Sequence, residues 1–287
     1  MVTTLLHSVQ TMTTLSSLID DIYNLVQGNQ DIADNLYTQL GNDIAETVRA
    51  RLSATSHKRT HLSLSSIGKP LRRLWYDLNT EDAEPEPPYA RLKFLYGDII
   101  ECLLLWLAEA SGHTVTDRQK EVIHHGVVGH IDSKIDGEIV DAKSASPKSY
   151  LKFSKGTLSE DDPFGYLAQL EAYDREEGNG NPGFFAMNKV TGEICLYQPD
   201  KVFDMPDTEK LINDARDALS KAHPPASRCY EPIADGKGGN MKLSAGCCYC
   251  PHKFKCWENL RAFKYSDGIR YLTKVVNEPR VEEIIND

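Results

Sequence analysis

The chain has 287 residues, 40% of them hydrophobic, and a formal net charge of −10 at pH 7. That length suits one large α/β domain with appendages or two small domains, with enough apolar residues for a real core. No apolar run approaches the roughly 20 residues that span a bilayer, and the start, Met1 to His7, lacks the pattern of a secretory signal. Seven cysteines, an odd number, favour a reducing compartment over a disulfide framework. We therefore expect a cytoplasmic protein without a membrane segment.

Hydrophobic periodicity and turn residues predict the elements in chain order. Apolar residues at helical spacing over 14–54, interrupted at Gly28-Asn29, predict two helices. A short capped helix is predicted to begin at Ser65-Ser66. The remaining predictions are a helix from about Arg91 to Ala110, strands near 114–117, 121–132 and 138–143, a helix near 163–177, a hairpin from Phe184 to Tyr197, and a helix from about Asp207 to Ala222.

A tight hairpin is predicted around Asp136-Gly137, a two-residue signal for a type I′ turn. The resulting register pairs Ser133 with Val140 and Asp132 with Asp141. Directly opposed carboxylates destabilise a sheet unless something cationic lies between them, and a divalent metal is the simplest candidate. Strand periodicity places Lys143 on the same face as Asp141.

This arrangement, Asp132 and then Asp141-x-Lys143 on adjacent strands, resembles the core of the PD-(D/E)XK nuclease superfamily. Upstream, Gly97 to Glu101 matches the helical Gly-x-x-x-(His/Glu) motif, and downstream Gln169 to Tyr173 matches the Gln-x-x-x-Tyr signature of the RecB-type exonuclease branch. Near the C-terminus, Cys247-x-x-Cys250 and Cys256 resemble the cysteine triplet of the iron–sulfur members, which include CRISPR-adaptation nucleases. The matches lie in the right order over about residues 65–257.

The resemblance implies an α/β fold with a restriction-endonuclease-like core, a central mixed sheet flanked by helices. The implied organisation is an N-terminal helical arm over 1–64, the nuclease core over 65–225 and a cysteine-containing extension over 226–287. The implied activity is metal-dependent exonucleolytic hydrolysis of phosphodiester bonds from DNA ends, in phage or bacterial DNA recombination, processing or degradation. A structure-specific endonuclease and a catalytically inactive DNA-binding module of the same fold are the alternatives.

The family motifs assign roles to the matching residues. Mg²⁺ or Mn²⁺ would be held by the hard oxygen ligands of Glu101, Asp132, Asp141 and the Ala142 carbonyl. Lys143 would orient or help to deprotonate the attacking water and offset charge on the phosphate.

Two further family residues and four basic residues are expected to contact DNA. Gln169 and Tyr173 would hold the catalytic strand and the DNA backbone. No Asp or Glu occurs between Arg49 and Arg73, and lysines follow the hairpin, although the whole chain is acidic. Since phosphate affinity depends on local patches of charge, we expect DNA contacts from Arg72, Arg73, Lys148 and Lys152.

The cysteines depart from the family pattern, because Pro70 stands where the iron–sulfur members carry a fourth cysteine. Iron–sulfur clusters generally take four protein thiolates, so a [4Fe–4S] cluster is the less expected occupant. Zinc would suit Cys247, Cys250 and Cys256, with Cys229, Cys248 or His252 as a fourth ligand. Bare thiols are the third alternative.

Overall fold

The computed structural model describes residues 13–29, 31–54, 60–81 and 87–284. The start of the chain from Met1 to His7, and residues 55–59 of the acid-free stretch between Arg49 and Arg73, lie outside these ranges. In chain order the α-helices are α1 (Leu18–Val26), α2 (Asp34–Ser53), α3 (Leu71–Asn79), α4 (Pro88–Ala110), α5 (Pro147–Ser154), α6 (Tyr166–Glu177), α7 (Thr208–Leu219), α8 (Ala245–Cys248) and α9 (Lys253–Cys256).

The strands in the described ranges form two larger sheets and a hairpin. They are β1 (Val115–Thr116), β2 (Glu121–His124), β3 (Val127–His130), β4 (Ser133–Ile135), β5 (Glu138–Ala145), β6 (Gly183–Asn188), β7 (Ile194–Tyr197), β8 (Ile233–Ala234), β9 (Met241–Lys242), β10 (Arg261–Tyr265), β11 (Gly268–Lys274) and β12 (Glu283–Ile284). Short 3₁₀ turns lie at Leu15–Ser17, Leu64–Ser66 and Leu158–Glu160.

The first of two compact units comprises Met1–Thr55, Arg91–Asp161 and Leu170–Met205. Its sheet has the order β1-β4-β5-β6-β7, in which β5 and β6 are parallel and the other neighbours antiparallel. On one face, apolar residues of α1 and α4 share a core with Val140, Ala142 and Phe185. On the other face, the Phe153 ring of α5 lies 5.4 Å from the Phe184 ring, centroid to centroid. The predicted α/β architecture, a mixed sheet flanked by helices, is confirmed.

The second unit comprises Ser56–Ala90, Asp162–Gln169 and Pro206–Asp287. It contains α3 and α7 and an antiparallel sheet of order β12-β10-β11-β9-β8, which the sequence reasoning did not predict. Gly165 adopts a φ of +76°, and a Cβ there would lie 2.5 Å from the Cα of Gly68. This unit therefore requires glycine at position 165, both for the left-handed backbone and for the close approach of two chain segments.

Two predicted elements differ in the structure. The strand predicted over 121–132 is instead the hairpin β2–β3, because His125 and Gly126 both have positive φ (47° and 72°) and reverse the chain. Continued further, the register predicted from the Asp136-Gly137 turn would place His130 opposite Lys143. The hairpin β2–β3 instead pairs His130 with Glu121 in a separate two-stranded sheet.

The helix predicted to begin at Ser65-Ser66 is also divided. The 3₁₀ turn Leu64–Ser66 comes first, and α3 begins only at Leu71, after Pro70 in the N-cap position. Proline has a fixed φ and no N–H to donate, so it is favourable at a helix start and unfavourable in the interior. In the ranges described, no helix is both long and apolar enough to cross a membrane.

Candidate active site

The β4–β5 hairpin forms as predicted up to its last pair. Asp136 (φ 51°) and Gly137 (φ 88°) give the type I′ turn, and Ser133 pairs with Val140. The ladder starts at Ser133, however, so the expected direct pairing of Asp132 with Asp141 is wrong. Asp132 instead turns one carboxylate oxygen towards β5, where Oδ2 accepts a hydrogen bond of 2.9 Å from the Ala142 N–H.

Strand β5 carries Asp141 and Lys143 into the middle of the sheet. Asp141 lies opposite Phe184 in the parallel β5–β6 ladder and is 1% exposed. Its carboxylate forms an ion pair with the Lys143 ammonium, two residues along on the same strand face. Burial of a carboxylate is costly without such a partner. The pair therefore explains how Asp141 remains buried.

Helix α4 brings Glu101 to the same acidic group. One turn earlier in α4, a Cβ at Gly97 would lie 4.0 Å from the Cβ of Ser144, so this face of the helix lies along β5. Burial, and next the charge on Asp141, raise the pKa of Glu101 from 4.5 to about 7, although Lys143 acts in the opposite direction. Glu101 thus exchanges a proton near neutral pH.

Asp132 is subject to the same electrostatic repulsion from neighbouring carboxylates. Burial raises its pKa well above the usual value, and the charges on Asp141 and Glu101 raise it further. Lys143 and the Ala142 N–H lower it without compensating fully. The three carboxylates Glu101, Asp132 and Asp141 therefore form one mutually repelling group, and the Lys143 ammonium opposes the repulsion.

Oxygen donors of this kind match the preference of Mg²⁺ and Mn²⁺. The carboxylates are nevertheless not already converged on one point. Within the described ranges, no group of three or more His, Cys, Asp or Glu side chains is arranged so that it could hold a metal ion. The donor chemistry fits a divalent cation, and the side-chain positions would have to adjust to receive one.

Gln119 is a site residue that the sequence reasoning missed. Its Nε2 donates to Glu101 Oε1 at 2.8 Å, and its backbone N–H donates to the Asp132 carbonyl at 3.2 Å. Its φ is +54°, an uncommon conformation for a residue other than glycine and often associated with functional sites. Gln119 thereby connects two of the three acidic positions. It lies in a polar turn, where nothing in the local sequence distinguishes it from a solvated residue.

Gln169 and Tyr173 lie four residues apart on α6, as predicted. The helix starts after Asp162, whose carboxylate accepts hydrogen bonds from the N–H groups of Gly165 (3.0 Å) and Leu167 (2.9 Å). Tyr173 is only 1% exposed. Tyr173 therefore lies in the core. A role for Gln169 or Tyr173 in contacting DNA stays a prediction.

The four basic residues predicted to contact DNA have different surroundings. Lys148 is exposed on the first turn of α5, whereas Lys152 lies 2.6 Å from the Asp161 carboxylate. In the second unit, Arg72 Nε donates to the Cys256 sulfur at 3.2 Å, and Arg73 is 3.2 Å from Asp77. Three of these side chains thus have contacts within their own unit, and the role of all four in DNA binding stays a prediction.

The second unit also contains five of the seven cysteines. Burial, together with charge on Cys229, Cys250 and Cys256, raises the pKa of Cys247 to about 11. Burial also raises the pKa of Cys229, with contributions from Cys250 and Cys256. These four thiols are therefore electrostatic neighbours.

The two other proposed fourth ligands have different partners. The Cys248 thiol lies 3.6 Å from the Leu243 carbonyl, and His252 Nε2 lies 2.9 Å from an Asp77 oxygen. Within the described ranges the cysteine thiols, too, are not arranged so that they could hold a metal ion, and the identity of a fourth ligand stays a prediction.

Comparisons with known proteins add little to this geometry. No protein-family model matches the chain, and no curated protein matches it. A solved structure titled "Crystal structure of SSO0001" is similar at 14% sequence identity and a TM-score of 0.42, covering 74% of this chain and 93% of that one. A likeness of this size carries no argument about function.

Proposed function

We propose that the chain is a metal-dependent DNA exonuclease with a restriction-endonuclease-like core of the RecB-type branch, hydrolysing phosphodiester bonds from DNA ends. One observation carries the proposal. Glu101 of α4, Asp132 before β4, and Asp141 and Lys143 of β5 come from three segments of the chain and interact in one place, where the pKa of Glu101 is raised to about 7. This is the set of residue types on which the sequence resemblance depends.

The energetics support a cation at this position. The difference between a pKa of 4.5 and about 7 for Glu101 corresponds to about 3 kcal/mol, at about 1.4 kcal/mol for each tenfold change in proton affinity. A site that carries such a cost when ionised gains the most from a divalent ion among its oxygens. Clusters of acids with strongly perturbed pKa values are also concentrated at functional sites.

Each residue of the group would have a distinct role in hydrolysis. Glu101, Asp132, Asp141 and the Ala142 carbonyl would hold Mg²⁺ or Mn²⁺, which when bound stabilises charge developing on the phosphate. Asp132 is already oriented by the Ala142 N–H. Lys143, which pairs with Asp141 in this structure, would orient the attacking water and face the phosphate when the carboxylates hold the ion.

The cysteine group is proposed as a second, structural metal site for zinc or, less expectedly, a [4Fe–4S] cluster. The support is the Cys247-x-x-Cys250 spacing together with the electrostatic proximity of Cys229 and Cys256. Arg72 and Arg228 donate to the Cys256 sulfur at 3.2 and 3.0 Å.

The activity can be tested with DNA labelled at the 5′ or the 3′ end. Linear and circular single strands and linear duplexes would be incubated with Mg²⁺, Mn²⁺ or EDTA. We expect the linear substrates to shorten from an end with either metal, EDTA to stop the reaction, and circles to persist. Asp141→Asn should lose cleavage, and the matched control Asp20→Asn, an exposed aspartate of α1, should retain it.

Each other result has a definite meaning. Cleaved circles would replace the exonuclease with the endonuclease alternative. DNA binding without cleavage under any metal condition would indicate an inactive module. Full cleavage by the Asp141→Asn variant would show that the acidic group is not the active site.

A further inference from the structure

The first turns of α4 expose large apolar side chains, although the same helix is buried further on. Leu92, Phe94 and Tyr96 all face solvent, and the Phe94 side chain is 46% exposed. From Ile100 onward the helix contributes instead to the core of the first unit. The core of this unit therefore does not cover the Phe94 ring.

Phe94 lies on the same helix stripe as the acidic site. Positions 94, 97, 98 and 101 follow helical spacing, so Phe94 and Glu101 share a face of α4. Glu101 interacts with Asp141 and Gly97 faces Ser144, which shows that α4 runs antiparallel to β5. Phe94 therefore lies about 10 Å from Glu101 along the helix axis, towards the end of β5 at which α5 begins.

An arginine side chain lies beside the Phe94 ring. The Arg51 guanidinium lies 5.9 Å from the ring centroid and is held by hydrogen bonds of 2.6 and 2.8 Å to Asp98. Arg91 Nη2 donates to the Ala54 carbonyl at 3.1 Å and so joins the end of α2 to the start of α4. Segments 47–54 and 91–100 together contain the cations Arg49, Arg51, Arg91 and Lys93 and one carboxylate, that of Asp98.

We propose that Phe94, held beside Arg51, is a base-stacking site for unpaired DNA next to the active site, an inference that rests on the proposed nuclease function. Proteins that bind single strands combine a cationic surface along the backbone with exposed aromatic rings on which bases stack. A base inside a duplex has both faces covered by its neighbours, so it cannot stack on the ring. The site thus selects a single-stranded end.

The helical spacing predicts which base is held. A distance of about 10 Å covers about three base steps of a stacked strand at about 3.4 Å each. The base on Phe94 is therefore about three nucleotides from the bond at the acidic site. This register gives the inference a test that a purely structural role for Phe94 would not satisfy.

The experiment measures binding of single-stranded oligonucleotides by fluorescence anisotropy in EDTA, with one abasic position moved stepwise from each end. For the unmodified chain, we expect affinity to fall about 5- to 100-fold when the abasic position is about three nucleotides from one end, since stacking on one aromatic ring contributes that much. Phe94→Ala should weaken binding of the intact oligonucleotide similarly and abolish sensitivity to that abasic position. Phe94→Trp should restore both, and binding of blunt duplexes should not change.

Phe203→Ala is the matched control, because Phe203 is an exposed phenylalanine (85%) of the same unit. It should bind as the unmodified chain does.

An abasic profile unchanged by Phe94→Ala would overturn the inference, and so would equal weakening of single-strand and duplex binding. A changed oligomeric state in light scattering, with DNA affinity unaltered, would assign the aromatic surface to contacts between copies and also overturn it. If the unmodified chain cleaves DNA but Phe94→Ala binds single strands normally, only the stacking inference is wrong. If the unmodified chain cleaves no DNA, the proposed function itself is wrong.

Discussion

Replacement of Glu101 by glutamine should stabilise the metal-free protein while removing its activity. The substitution keeps the length of the side chain and an oxygen that can accept the hydrogen bond from Gln119 Nε2. It removes the negative charge that burial and Asp141 make unfavourable. We expect a residue to be required for function and unfavourable for stability where carboxylates are grouped to bind a cation.

The magnitude follows from the pKa of Glu101, which is raised from 4.5 to about 7 in the folded state. Between these two pH values the folded chain binds more protons than the unfolded chain, so the free energy of unfolding falls as pH rises. The loss approaches about 3 kcal/mol at pH 8, at about 1.4 kcal/mol for each tenfold change in proton affinity. Asp132 shares the repulsion, so the glutamine variant recovers this amount at most. Near pH 4.5 the two proteins should be equally stable.

The assay is urea unfolding in EDTA at pH 5, 6, 7 and 8 for the unmodified chain, Glu101→Gln and the control Glu46→Gln, an exposed glutamate of α2. The stability difference should grow with pH for Glu101→Gln and stay near zero for the control. Saturating Mg²⁺, at about 100 times its dissociation constant, should stabilise the unmodified chain by about 2.7 kcal/mol and the variant much less. If Glu101→Gln is no more stable than the unmodified chain at pH 8, the carboxylates do not repel one another as argued.

Three other substitutions test separate parts of the structure. Gln119→Ala removes a hydrogen bond that lowers the pKa of Glu101, so the pH of half-maximal cleavage should rise; an unmoved pH–rate profile would contradict the contact. Lys148→Ala should weaken DNA binding and reduce the slope of log affinity against log salt by about 0.7–0.9, and an unchanged slope would exclude a phosphate contact. Cys250→Ser should lose the zinc or iron that elemental analysis finds in the purified protein, whereas Cys248→Ser should keep it; a parent protein without either metal would contradict the site.

Local features of the sequence were sufficient for several elements. Asp136-Gly137 specified its turn because few residue pairs tolerate positive φ at both positions, and the turn fixed the register from Ser133 to Val140. The apolar helix before it was equally recognisable, since its pattern repeats over many residues. Both signals are carried by neighbouring positions along the chain.

Other turns and strands were not predicted, because their residues or lengths are less typical of such elements. The turn at His125-Gly126 also has positive φ at both positions, but histidine is not a usual first residue there, and one long strand was predicted instead. The second sheet was not predicted at all. Its strands β8, β9 and β12 have two residues each, too short for any periodicity to appear.

The sequence by itself thus determined the β4–β5 hairpin and the helix that carries Glu101, because these depend on backbone preferences and periodicity. The mixed-sheet architecture was expected from the family resemblance. Only the tertiary structure decided which groups meet. It replaced the expected Asp132–Asp141 pair with a hydrogen bond to Ala142, brought Gln119 to Glu101, and placed Cys229 with the cysteine triplet. Such contacts join residues far apart in the chain, and their cost and benefit depend on burial and on neighbouring charge, which leave no pattern in the local sequence.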